Sequence, residues 1–199
     1  MEDEKLQQIL DSADSLKAAG KHREAIILCE EILAEDPQCN EAYEEIGDNY
    51  ISLRELSKAE KALKQAIKFA PDSANAAYLM GFLHSCRREW KASILMLEVA
   101  DELKPNHSEI LRCLGWSYFM SGDTARGVIL LERAKTLVPD DVYILTDLGV
   151  CYLNERKIEK ALPIFRRVLE LDPGNEKARE CLLIVEEYAA NTKGIRKQN

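Results

Sequence analysis

Apolar and small residues recur along this chain at offsets of three and four, the spacing that puts them on one face of a helix. The pattern as a whole repeats every 34 residues, in rows 6–39, 40–73, 74–107, 108–141 and 142–175. One column of these rows is small: Ala13, Gly47, Gly81, Gly115, Gly149. The residue before it is Ser12, Ile46, Met80, Leu114 or Leu148, and three after it comes Leu16, Tyr50, His84, Tyr118 or Tyr152. A second small column follows, Ala25, Ala59, Ser93, Gly127, Ala161, and then a large one, Cys29, Leu63, Leu97, Leu131, Phe165. The columns predict two amphipathic helices per row. Their backbones approach closely at the small residues, and the larger side chains fill the space beside that contact.

Punctuation supports the same division. Pro37, Pro71, Pro105, Pro139 and Pro173 stand in register at the row ends, where a helix-breaking residue lets each unit stop at the same point. Asp72-Ser73, Asp140-Asp141 and Gly174-Asn175 follow as capping residues, as does Asn106-His107. Within each row the turn between the helices carries Gly20 or Gly122, or else Arg54, Arg88 or Arg156, where a left-handed residue suits glycine better than arginine. Pro163 falls inside a predicted second helix and is expected to bend it slightly without breaking it. Residues 176–190 continue the first-helix pattern, with Leu182, Leu183 and Val185 as the apolar side of a capping helix. Residues 191–199 read as a flexible basic tail.

These columns are those of the tetratricopeptide repeat, and the chain resembles that family over residues 6–175. Repeat 1 departs from the pattern at Ser12 and Ala13, and repeat 3 at Ala77 and His84. The resemblance implies an all-α fold: an α-solenoid of stacked antiparallel helix pairs forming a right-handed superhelix with a concave groove lined by the first helices. By register, the groove has an acidic zone of Asp11, Asp14, Glu41, Glu44, Glu45 and Asp48 and an apolar zone of Tyr78, Phe82, Trp116, Phe119 and Met120, with Arg112 among them. Repeat 5 adds Tyr143, Thr146, Asp147, Val150 and Asn154. Aromatic residues and Met lying outside the packing columns are of the types enriched at binding hot spots. The family's clamp for a carboxylate terminus is not supported, because its positions read Leu10, Asp14, Glu45, Asn75 and Leu79 here.

Composition narrows the function. The chain has 199 residues, 46% hydrophobic and 31% charged, as expected of a folded helical protein. Its net charge of −8 argues against binding to a phosphate backbone. Residues 1–50 hold 14 Asp/Glu against 4 Lys/Arg, which would attract a basic partner. The start, Met1-Glu2-Asp3-Glu4-Lys5, lacks the basic and apolar regions of a signal peptide, and no stretch is long enough to span a bilayer, so a cytoplasmic protein with no membrane partner is expected. Six scattered cysteines, none in a C-x-x-C pair, read as free thiols. His22, His84 and His107 share no metal-ligand spacing, and no glycine-rich phosphate loop or nucleophile motif is present. The expectation is therefore a non-enzymatic adaptor without cofactor or metal, binding an amphipathic protein segment with a basic end. A self-associating scaffold is the alternative, and a chaperone for a secreted or assembling protein is a special case of the first reading.

Overall fold

The computed structural model describes residues 3–196, with side chains over residues 4–188. Among the described residues there are helices and no strands: α1 (Asp3–Ala18), α2 (His22–Glu35), α3 (Asn40–Ser52), α4 (Leu56–Phe69), α5 (Ala74–Cys86), α6 (Trp90–Leu103), α7 (Ser108–Ser121), α8 (Thr124–Leu137), α9 (Val142–Asn154), α10 (Ile158–Leu171) and α11 (Glu176–Arg196). Each row of the sequence pattern supplies one helix pair. The helices group into two compact units, residues 1–105 and 106–199.

In the first unit α1 to α6 stack as three pairs. Ala13, Ala25, Ile26, Cys29, Ile32, Ala42 and Ile46 bury one end of its core. Ile51, Leu63, Leu79, Met80 and Leu83 bury the other. In the second unit Leu131, Leu145, Leu148, Tyr152, Phe165 and Val168 form the main core, and α11 closes it with Ala178, Cys181 and Val185. Burial of one side chain the size of Leu or Phe contributes ~1.5–3 kcal/mol. Leu183, expected on the buried side of α11, is 65% exposed instead. The inner stripe follows residues 178, 181 and 185 at offsets of three and four, which turns position 183 outward. α11 also runs past the expected end at residue 190, to Arg196. Residues 197–199 of the expected tail lie outside the described residues.

The helix ends show why the rows end where they do. Ser73 accepts the backbone N–H of Ala76 at 3.1 Å. Asp141 accepts those of Tyr143 and Ile144 at 2.8 and 2.9 Å, and Asn175 that of Ala178 at 2.9 Å. Each satisfies a donor that a helix N-terminus leaves open. His107 makes no such bond at the start of α7. Pro163 lies within α10 without breaking it.

The turns inside the rows share one backbone solution. Gly20, Arg54, Arg88, Gly122 and Arg156 all take positive φ, between 57° and 101°. For arginine this left-handed conformation is strained, because its Cβ crowds the following carbonyl. Arg88→Gly is therefore expected to stabilise the protein by ~1 kcal/mol, read as a higher urea midpoint by circular dichroism. Gly122→Ala, whose Cβ would meet nothing within 4 Å, is expected to shift the midpoint the other way through backbone strain alone.

Candidate functional site

Of the six acidic residues expected to line the groove of the first unit, three surround a lysine. Lys17 on α1 sits among three of them, with Nζ 2.9 Å from Asp14, 2.8 Å from Glu45 and 3.1 Å from Asp48. Burial works against the Lys17 charge, but its hydrogen bonds to Glu45 and Asp14 and the nearby Asp48 outweigh it and hold its pKa above the usual lysine range. Burial raises the Glu45 carboxyl despite the Lys17 contact, since one ammonium is shared by three carboxylates. Glu44 departs furthest from the expected role. It is 6% exposed and accepts hydrogen bonds from Ser73 Oγ at 2.5 Å and Asn75 Nδ2 at 2.7 Å, which ties α3 to the N-terminus of α5. Asp11 and Glu41 remain exposed, Asp11 accepting from Gln7 at 2.8 Å and Glu41 from the Cys39 thiol at 3.5 Å.

The two aromatic residues expected in the groove of the first unit lie one helical turn apart on α5. The rings of Tyr78 and Phe82 stack with centroids 6.2 Å apart, half-buried against the core around Leu63 and Leu83. They therefore serve packing with one side and remain partly open on the other.

In the second unit α7 presents Trp116, Phe119 and Met120. Trp116 and Phe119 are tilted together at 5.4 Å, Phe119 leans on the core, and Met120 is 40% exposed. Arg112, one turn before Trp116, is already engaged. Its guanidinium donates to Glu109 at 2.6 and 3.0 Å and to Asp147 on α9 at 2.8 Å. It also lies 5.8 Å from the ring centre of Tyr143, itself 71% exposed. Arg112 thus acts as a strut between two first helices and not as a free cation. Burial pushes the Asp147 carboxyl up to about 6 against the pull of Arg112.

The sequence pattern singled out the aromatic residues but not Lys17. The only local signal for it was its place three residues after Asp14 on the same helix face. His22, on a turn by sequence, places Nδ1 3.0 Å from the Asn49 side chain, itself fully buried. Burial pushes the thiols of Cys29 and Cys151 up to about 12, which leaves them protonated and inert as nucleophiles at neutral pH. Among the described residues no group of three or more His, Cys, Asp or Glu is placed to hold a metal ion, and no helix is long and apolar enough to cross a membrane.

Two family models, each described as tetratricopeptide repeat, match residues 16–81 and 114–176. The chain belongs to the tetratricopeptide repeat family. Comparison with curated protein sequences gives no match. Solved structures agree on the fold. A thermophilic TPR protein of Thermus thermophilus is 20% identical, with a TM-score of 0.76 over 90% of this chain and 97% of that one. A chain of the APC/C hetero-tetramer Cut9–Hcn1 is 16% identical, with a TM-score of 0.84 over 89% of this chain and 35% of that one. YrrB, described as a TPR protein with an unusual peptide-binding site, is 19% identical, with a TM-score of 0.64 over 86% of this chain and 89% of that one. Tetratricopeptide repeat proteins are generally non-enzymatic scaffolds for protein–protein interaction.

Proposed function

We propose that this tetratricopeptide repeat protein is an adaptor that binds segments of partner proteins on the first-helix faces of its two units. The carrying observation is the α7 face. Trp116, Phe119 and Met120 adjoin there, Met120 stands open, and none of the three belongs to the columns that build the helix pair. Tyr143 extends this face on α9, held beside Arg112. The Tyr78–Phe82 pair offers a smaller aromatic surface on α5. YrrB, with its peptide-binding site, provides a precedent on the same fold.

The preferred partner segment is amphipathic. Its apolar side chains meet the aromatic faces, where burying one contributes ~1.5–3 kcal/mol. A basic end is drawn to the first unit by Asp11 and Glu41, which have no cationic partner among the described residues. The Lys17 network carries three carboxylates for one ammonium and adds to that field. The packed helices hold these faces ready, so that the ordering cost of binding falls mainly on the ligand.

The test is affinity capture from the native lysate, identification of the bound segment, and titration of that segment into 15N-labelled protein. Amide shifts are expected at Trp116, Phe119, Met120 and Tyr143, and at Tyr78 and Phe82. Shifts confined to the second helices α2, α4, α6, α8 and α10 would refute the reading.

A further inference from the structure

The second unit contains a cavity that the adaptor face does not use. It opens between the second helices α8 and α10 beside α9, with a volume of about 500 Å³, well within the size range of ligand sites. Leu145, Pro163 and Ile164 supply apolar lining. Three cations also line it, and they differ in how far they are committed. Lys135 is bound to Glu132 at 2.9 Å. Arg167 is bound to Asp140 at 2.8 Å and to Glu170 at 3.0 Å. Lys160 lies outside ion-pair distance of any carboxylate among the described residues, although the Glu132 carboxyl, also in the lining, is held low in part by its charge. Its ammonium rests 5.1 Å from the ring centre of Tyr152, whose hydroxyl donates to Glu132 at 2.5 Å.

Pro163 adds a second feature. It has no N–H, so the carbonyl four residues earlier, that of Glu159, loses its helical donor. Glu159 also lines the cavity. At the position of Pro163 the other rows have Ile27, Lys61, Leu95 and Ile129, all longer side chains. The proline thus leaves the α10 wall open.

We propose that this cavity is a second docking site, for a partner segment in which an apolar side chain neighbours a carboxylate. The apolar group fills the space lined by Leu145, Pro163 and Ile164. The carboxylate pairs with Lys160. Because the site uses none of the residues of the α7 face, one protein can hold two segments of different charge.

The probe is the blocked hexapeptide acetyl-Ser-Phe-Asp-Leu-Glu-Ser-amide, titrated into the full 15N-labelled chain beside a neutral counterpart with Asn and Gln in place of the acids. The acidic peptide is expected to give saturable shifts at Tyr152, Lys160 and Ile164. Binding should weaken about threefold for the neutral peptide, and as much or more for Lys160→Glu. Pro163→Ile restores the residue type of rows 1 and 4, fills the opening and supplies the missing helix donor. It is expected to raise the unfolding midpoint and abolish the shifts, which separates lost binding from lost folding. Trp116→Ala should leave these shifts unchanged, so the failure of one site is distinguishable from that of the other. An acidic peptide that shifts nothing around the cavity, or binds Lys160→Glu as well as wild type, overturns the proposal.

Discussion

Gly127→Val is expected to destabilise the protein by ~3 kcal/mol or more, at the upper end of what overpacking a helix contact costs. A Cβ at Gly127 would lie 2.7 Å from the carbonyl oxygen of Gly115 and 2.9 Å from the backbone nitrogen of Phe119. Both are main-chain atoms of α7, so no rotamer change can relieve the clash and the two helices must separate. The reverse contact is equally close, with a Cβ at Gly115 falling 2.9 Å from the Gly127 carbonyl oxygen. At Gly47 and Gly81 the nearest atoms, at 2.6 Å, belong to the Leu63 and Leu97 side chains, which can partly move aside. Gly47→Ala should therefore cost less than Gly127→Ala. Urea unfolding followed by far-ultraviolet circular dichroism gives the comparison, and an unchanged midpoint for Gly127→Val would contradict the α7–α8 contact. The consequence reaches function, because α7 carries Trp116 and Phe119. A displaced α7 would weaken partner binding without touching an aromatic residue.

The helix pairs were legible because their signals act on the backbone. Small residues at the contact, prolines at the row ends and caps such as Ser73 and Asp141 each restrict where a helix can run, and they agree over five rows. The end of α11 was not legible, since residues 191–193 carry no helix-breaking signal and Gly194 alone did not stop the helix. The aromatic faces were visible as residues left over once the packing columns were assigned. Their double role was hidden, because Tyr78, Phe82 and Phe119 sit at the edge of the buried stripe and pack with one side. Charge was read least well. A sum over residues 1–50 does not show which carboxylates meet a cation, and Lys17 reaches Glu45 and Asp48 only through the packing of α1 on α3. Glu44 looked like its acidic neighbours but turns toward Ser73 and Asn75, partners about 30 positions away. Pro163 was evident as a proline in a helix. That Lys160 beside it rests on the Tyr152 ring, and that Arg167 reaches Asp140, depends on contacts between elements.

The adaptor reading rests on the aromatic faces, and truncating them should have the largest effect on binding. Trp116→Ala removes the largest side chain of the α7 face, and Phe82→Ala one half of the α5 pair. Both residues are only partly buried, so helix content should survive each change. Hot-spot aromatics of this kind contribute about 2 kcal/mol or more to binding, equivalent to roughly a thirtyfold change in Kd. The most direct measurement is calorimetric titration of the captured partner segment into wild type, the two single variants and the double variant, with circular dichroism on the same samples. The account predicts unchanged helicity and a loss of affinity of roughly thirtyfold or more in the double variant. Unchanged helicity with unchanged affinity would contradict it.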